Sequence, residues 1–178
     1  MADDTNGTVQ ELDFPFTISP SGGGLFVLQK EERSNAYVLL IGYTPSLHAE
    51  PRRECVGLFT VRAVIQSVFG YPNEEAYWRD PRGKIGDRVV EIVGSKWTDD
   101  IDAYNQRTFG TAYPWSRPWP RRHFFFGSKD ESVQFLASDI KIELFTDEPL
   151  SSAYERATAS ALARLKAYPE PDSIFDGM

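Results

Sequence analysis

Arginines and large aromatic residues alternate in a stretch of the chain that contains no acid. Residues 103–129, called the basic window below, include no aspartate or glutamate, and their basic residues are Arg107, Arg117, Arg121, Arg122 and Lys129. Tyr113, Trp115 and Trp119 lie among them. A guanidinium group binds carboxylate or phosphate through two parallel hydrogen bonds, and an indole ring offers a flat stacking face. The basic window therefore predicts recognition of an anionic group.

The same composition also fits a structural role. A loop made rigid by prolines can pack its tryptophans on the domain while its arginines pair with the chain's own acids. The two interpretations differ in what Arg117, Arg121 and Arg122 contact. Both stay open at the level of sequence.

A second group of residues could carry acid–base chemistry. The segment G-Y-P-N-E-E-A-Y-W-R over residues 70–79 contains Tyr71, Glu74 and Glu75. In an enzyme, one of these carboxylates would act as general base, with His123 as acid or orienting group. In the structural interpretation, the two glutamates favour the positive end of a capped helix, and His123 is a hydrogen-bonded histidine beside an apolar strand.

Several kinds of site are excluded by what the sequence lacks. The chain has one cysteine, Cys55, and two histidines, which argues against a zinc site and excludes an internal disulfide. No serine or cysteine has the sequence setting of a nucleophile elbow, and the glycine-rich stretch at residues 22–24 lacks the Lys-Ser/Thr ending of a phosphate loop. We therefore predict neither a metal nor a cofactor.

Charge and hydropathy bound the location and the partners. The 178-residue chain carries a formal net charge of −7, which argues against binding nucleic acid or anionic membranes. Its acidic N-terminus lacks the features of a signal peptide, and no apolar run approaches the length of about 20 residues needed to cross a membrane. The single cysteine fits a reducing compartment, so we expect a cytoplasmic protein.

The elements that would position these residues are mostly strands. A hairpin is predicted at residues 121–144: the chain forms a strand, a polar turn, and a second strand in which Val133, Phe135 and Ala137 share one face. Ser138 and Asp139 are expected to form a bulge or corner. Further strands are predicted at residues 25–28, 36–43, 55–61 and 88–93, and the apolar run 36–43 is expected to be buried on both faces. Residues 62–69 fit either a strand or a helix.

Two helices are expected. The first starts near Trp97, with Thr98 or Asp99 as its cap, and ends near residues 109–110. The second runs from Ser152 to Tyr168 and starts with the spacing of a capping box. It carries one apolar stripe: Tyr154, Thr158, Ala161, Leu162, Leu165 and Tyr168.

Together these elements predict an α+β fold. We expect one mostly antiparallel, twisted sheet of about six strands, with the C-terminal helix packed on one face. Residues 1–12 are expected to be a disordered acidic tail, residues 13–169 a single domain, and residues 170–178 an irregular tail.

Two motifs resemble a family of small uncharacterised bacterial proteins. G-Y-P-N-E-E-A at residues 70–76 is similar to the family's G-Y-P-N-D-E-A, and R-H-F-F-F at residues 122–126, with Asp130, is similar to H-x-V-F-x-F-H-D-S-T. The resemblance covers about residues 55–145 and implies no established activity. The chain has Arg79-Asp80-Pro81 near the expected His-Pro and Lys129 in place of the histidine before Asp130. A role for that histidine does not transfer here.

Three functional hypotheses follow. The leading one is a non-catalytic module that binds an anionic small molecule or an acidic protein surface through the basic window. The second is an enzyme that uses Tyr71, His123 and one of the two glutamates in a cleft. The third is an immunity or inhibitor-type protein, because an acidic surface can mask a basic target.

Overall fold

The computed structural model describes residues 7–20, 25–30, 35–44, 53–70, 85, 88–110, 121–129 and 131–167. These residues form short strands and two helices. In chain order they are β1 (Thr8–Glu11), β2 (Thr17–Ile18), β3 (Phe26–Gln29), β4 (Ala36–Tyr43), β5 (Glu54–Arg62), β6 (Gln66–Gly70), β7 (Val89–Val93), α1 (Lys96–Phe109), β8 (Arg122–Ser128), β9 (Glu131–Ala137), β10 (Asp139–Phe145) and α2 (Leu150–Ala167).

The strands form two antiparallel sheets. Sheet A has the order β1-β7-β8-β9-β6, and sheet B has the order β10-β5-β4, with β2 and β3 both pairing with β4. The α+β class and the antiparallel pairing are confirmed. The prediction of one sheet of about six strands is wrong, because each sheet has five strands. Alternation along a strand predicts that one face is buried but not which element covers it.

The two sheets are joined at a corner where two neighbouring chain segments change sheet. One segment passes from β9 to β10 at Ser138, and the other passes from β5 to β6 through Ala63, whose φ is 50°. The amide and hydroxyl of Ser138 both donate to the Arg62 carbonyl at 3.0 Å, and the Ile65 amide donates to the Leu136 carbonyl at 2.8 Å. The predicted corner at residues 138–139 is confirmed, and the ambiguous stretch 62–69 contains a strand. Such corners are how a sandwich passes a strand between its sheets.

The core between the sheets is aromatic. Phe126 contacts Phe59 and Phe135 edge to face, with ring centroids 5.4 and 5.6 Å apart. Val133, Phe135 and Ala137 share this inner face as predicted, and all three are buried. The alternation along β9 thus places these three apolar side chains on the face that packs against the core.

The outer face of sheet B is covered by α2. Strand β4 is buried on both faces as expected, because Val38 and Leu40 join the inner core while Tyr37 and Leu39 lie under the helix. The predicted stripe on this helix is partly wrong. The buried seam consists of Ala153, Ala157 and Ala161, whereas Leu162 is 41% exposed. Alanines four residues apart let the helix axis approach the sheet closely, so the larger side chains lie beside the contact. Ser152 lies inside the helix, not at its start.

The N-terminal residues 8–11 are ordered in a strand, which corrects the prediction of a disordered tail at residues 1–12. Strand β1 pairs with the edge of β7, with Thr8 opposite Val93 and Glu11 opposite Val90. Only Val9 packs against the adjoining apolar cluster. Backbone pairing at a sheet edge needs few apolar side chains, so an acidic composition does not prevent it. Residues 1–6 and 168–178 lie outside the described residues.

Residues 12–16, called the strap below, connect sheet A to sheet B. The strap contains two successive γ-turns: the Phe14 amide donates to the Leu12 carbonyl at 2.9 Å, and the Phe16 amide donates to the Phe14 carbonyl at 2.7 Å. Both phenylalanines contact Phe59 edge to face at 5.5 Å. The Phe16 ring lies against Gly42 and Gly57, where a Cβ atom would come within 2.5 and 3.0 Å of it.

Cys55 in β5 gives a test of this packing. Its side chain is 1% exposed, and burial raises the pKa of the thiol to about 11. We expect native Cys55 to react at least about 100-fold more slowly with a thiol reagent at pH 8 than the unfolded chain does, since two pKa units reduce the thiolate fraction about 100-fold. A colorimetric thiol assay with and without denaturant measures this ratio.

The raised pKa also has a consequence for stability. The unfolded thiol titrates near 9, so the protonated, buried thiol stabilises the folded state below pH 9. This contribution is lost as the pH rises from 9 through 11. Equal labelling rates in the native and unfolded protein would contradict the buried position.

Candidate functional site

The structure describes three of the predicted site residues, and they are consecutive in the chain. Arg121 immediately precedes β8, and Arg122 and His123 begin it. The other predicted ligand contacts, Tyr113, Trp115, Arg117 and Trp119, lie in residues 111–120, outside the described residues. Tyr71, Glu74 and Glu75 also lie outside them, in residues 71–84. Their assignments stay predictions.

Arg122 is held by acids of the chain itself. Its Nε donates to Glu91 Oε1 at 2.9 Å, its Nη2 donates to the other oxygen of Glu91, and its Nη1 lies 3.7 Å from Asp139 Oδ1. The guanidinium also lies 4.8 Å from the centroid of the Phe124 ring. Hydrogen bonding to Glu91 raises the pKa of Arg122 above its ordinary value. Glu91 belongs to β7 and Asp139 to β10, so Arg122 links the two sheets.

Arg121 points to the opposite face of sheet A. Its ion-pair partner, Asp102, belongs to α1, the helix whose N-cap Ser95 contacts His123, whereas Arg122 contacts Glu91 and Asp139. The Arg121 side chain is 14% exposed and that of Asp102 is 62% exposed. Within the described part of the chain, Nε of Arg121 has no hydrogen-bond acceptor.

His123 lies at the centre of a buried polar network. Its Nδ1 is 2.7 Å from Ser95 Oγ and its Nε2 is 2.8 Å from Gln134 Oε1. An amide oxygen only accepts, so Nε2 carries a proton, and in the neutral imidazole Nδ1 then accepts from the serine hydroxyl. Ser95 Oγ in turn accepts from the Trp97 amide at 3.3 Å, and the Trp97 ring meets the imidazole edge to face at 5.1 Å.

Ser95 is the N-cap of α1, which corrects the prediction of Thr98 or Asp99. The helix starts at Lys96, one residue before the predicted position, and ends at Phe109 as expected. A serine side chain that accepts a free amide of the first turn is a standard N-cap. The sequence signal for Ser95 as the N-cap is its position directly after β7 and Gly94, because the chain changes there from strand to helix.

The Ser95–His123 pair has the composition of a nucleophile and its base, but its surroundings favour a structural role. Both side chains belong to residues that are only 4% exposed. The serine oxygen already accepts a backbone amide, and the far nitrogen of the imidazole faces a neutral amide. A catalytic pair of this kind has an exposed hydroxyl and commonly a carboxylate that stabilises the imidazolium. The network instead attaches α1 to β8 and β9.

Replacing Ser95 with alanine tests that attachment. The change removes the cap of α1 and leaves His123 Nδ1 without the serine donor, so we expect a loss of about 1–2 kcal/mol in the free energy of unfolding. Urea denaturation measures it. Ser151→Ala, at an exposed position in the first turn of α2, is the matched control and should change stability by less than about 0.5 kcal/mol. Equal losses in the two variants would contradict the role of the network.

The charges of the basic window are spread over the molecule. Lys129 follows the last residue of β8, whereas Arg121 precedes the first, so roughly 25 Å of strand separates them. Arg107 lies exposed in the last turn of α1. The window is therefore continuous in sequence, but these three basic residues do not form one patch.

A cavity of 270 Å³ lies beneath the strap, between it and the start of β7. Its walls include Phe14, Phe16 and Phe59, and Glu11 and Arg88 line it as an ion pair. None of these residues belongs to the predicted sites. The sequence signal for them is weak, because the acidic N-terminus resembles a disordered tail.

The comparisons with known proteins add no identification. No family model matches the chain, and neither a curated protein nor a solved structure is similar to it. The resemblance to the small bacterial family stays a prediction. Neither α1 nor α2 is long and apolar enough to span a membrane. Within the described ranges, no group of three or more histidine, cysteine or acidic side chains is arranged to hold a metal ion.

Proposed function

We propose that this protein is a non-catalytic binding module that recognises a small anionic ligand at the Arg121 end of the basic window. One observation supports this more than any other. Arg121 is mostly buried, yet its one ion-pair partner in the described part of the chain is a solvent-exposed carboxylate, and its Nε has no acceptor there. A buried donor without an acceptor costs about 1–3 kcal/mol. A bound carboxylate or phosphate would supply the acceptor.

The preceding residues supply the remaining ligand contacts in this proposal. Trp115, Arg117 and Trp119 precede Arg121 by two to six positions in the sequence. A second guanidinium would share the charge of the ligand, and the indoles would stack on it or shield it. Arg122 has a different role, because Glu91 and Asp139 already use its donors.

The absence of catalysis is part of the proposal. Ser95 and His123 are buried and hydrogen-bonded to each other. They lack the exposed nucleophile that acyl transfer needs. The enzyme hypothesis with Tyr71, Glu74 and Glu75 depends on residues outside the described ranges, and no described contact favours it.

The test separates the two arginines. Citrate and inorganic phosphate serve as probes, with binding measured by isothermal titration and by the shift of the thermal unfolding midpoint. We expect Arg121→Gln to weaken binding at least about tenfold while the unliganded protein keeps its stability. Arg122→Gln should lower the stability of the unliganded protein, because it leaves Glu91, which is 12% exposed, without its partner.

Arg164→Gln is the matched control, since Arg164 forms an ion pair with Glu143 on the far side of sheet B. It should bind the probes like the wild type. Failure of the wild-type protein to bind either anion, or unchanged binding by Arg121→Gln, would refute the proposal.

A protein partner is the second candidate, including the immunity or inhibitor-type role. It is favoured by β6, which is an edge strand of sheet A and carries two exposed apolar side chains, Val68 at 49% and Phe69 at 56%. Unpaired strand edges can accept a strand from another chain. Phe69→Lys should then abolish the complex, while Tyr104→Lys, at a position 57% exposed in α1, should preserve it.

A further inference from the structure

The cavity beneath the strap has the size of a small-molecule site. Its volume is 270 Å³. A dry apolar cavity of about 150 Å³ is large enough to hold benzene, and ligand pockets in proteins usually start near 300 Å³. The cavity therefore has room for one ring, or a branched chain, together with a short polar group.

The inner wall of the cavity is apolar and held in place. Phe14 and Phe16 of the strap line the cavity and are half-buried. Phe59 is fully buried behind them, and its ring centroid lies 5.5 Å from that of each of the two rings. Phe16 is fixed because its ring lies against Gly42 and Gly57. The Phe16 amide is also hydrogen-bonded within the strap. An apolar ligand group would thus meet preformed aromatic walls and would not have to order them first.

The polar side of the cavity presents both signs of charge next to each other. Arg88 and Glu11 form an ion pair across the antiparallel junction of β1 and β7. Their side chains are 43% and 71% exposed. An exposed pair of this kind contributes little to stability, so a ligand can separate it at little cost.

We propose that this cavity binds a free α-amino acid with an apolar side chain. The ligand carboxylate pairs with Arg88 and the ligand ammonium pairs with Glu11. The ligand side chain occupies the cavity against the half-buried side chains of Phe14, Phe16 and Val89. A zwitterion exchanges one ion pair for two, so neither protein charge is left without a partner. An anion alone would leave Glu11 unpaired, and a cation alone would leave Arg88 unpaired.

This site is distinct from the one proposed at Arg121. The two share no residue: the Arg88 carbonyl accepts from the Gly127 amide near the end of β8, whereas Arg121 precedes the start of that strand. The inference goes beyond anion recognition, because it requires an ammonium group in the ligand. Either proposal can fail while the other holds.

The experiment compares four ligands with the wild-type protein by isothermal titration. L-Phenylalanine is the full ligand, 3-phenylpropionate lacks the ammonium group, phenethylamine lacks the carboxylate, and glycine lacks the side chain. We expect L-phenylalanine to bind at least about tenfold more tightly than each of the other three. This panel needs no variant, so loss of folding cannot obscure it.

Variants then assign the binding to the cavity. Arg88→Gln and Glu11→Gln should each weaken L-phenylalanine binding at least about tenfold. Arg53→Gln is the matched control, because Arg53 also forms an exposed ion pair, with Asp147, and neither residue lines the cavity. It should bind like the wild type. The proposal is overturned if L-phenylalanine does not bind, if 3-phenylpropionate or phenethylamine binds as tightly, or if Arg53→Gln weakens binding as much as Arg88→Gln.

Discussion

Replacing Phe59 with alanine is expected to lower the free energy of unfolding by about 3–5 kcal/mol. Phe59 is fully buried in β5, and its ring contacts the rings of Phe14, Phe16 and Phe126 at 5.4–5.5 Å. One side chain therefore connects sheet B to sheet A and to the strap. Its removal leaves a cavity that three other rings border, and these rings, held by the strap and by β8, can close it only in part.

Urea or guanidinium denaturation monitored by circular dichroism measures this loss. Phe69→Ala is the matched control: the same atoms are removed, but Phe69 is 56% exposed and contacts the core through Phe135. We expect about 1 kcal/mol there. A loss at Phe59 no larger than at Phe69 would show that the two sheets do not meet through this ring.

The local structure was accessible from sequence because its signals are local. The apolar run 36–43 coincides with β4, and the alternation at residues 133, 135 and 137 correctly predicts the inner face of β9. Each of these patterns is written within one strand. The division into two sheets is not, because it depends on which strands pair over long distances. The turn at Ala63 adopts a left-handed backbone without a glycine to signal it.

The sequence predicts that the arginines of the basic window bind anionic groups, but it does not predict which groups they bind. Arg121 and Arg122 are adjacent in the chain, but their guanidinium groups bind acids on different elements of the fold. Their partners, Asp102 and Glu91, lie on different elements and follow only from the fold. The same holds for Ser95 and His123, which are 28 positions apart.

The cavity was not predictable because the strap was not. Residues 1–12 have the composition of a disordered segment. That composition does not predict that Thr8–Glu11 pairs with β7. The strap brings Phe14 and Phe16 against the core, but only the pairing of β1 and β2 with different sheets gives it two fixed ends. Edge pairing through the backbone is therefore what creates the second candidate site.

Gly42→Ala is expected to displace the strap and lower stability, near the upper end of the about 1–3 kcal/mol typical of overpacking. A Cβ at this position would lie 2.3 Å from the Thr17 carbonyl oxygen and 2.5 Å from the Phe16 ring. The carbonyl belongs to the backbone of β2, which pairs with β4 at this point, so the collision cannot be relieved by a side-chain rotation. The strap must move away from β4.

Gly57→Ala is the graded control, because the three atoms nearest to its Cβ would be side-chain ring carbons, the closest at 3.0 Å. We expect a smaller loss of stability there. In Gly42→Ala, limited proteolysis should cut within residues 12–18 faster than in the wild type, and binding of L-phenylalanine should fall with it. A Gly42→Ala protein with wild-type stability and an uncut strap would contradict the close contact at Gly42. If the strap is displaced but L-phenylalanine still binds, the strap does not form part of the binding site.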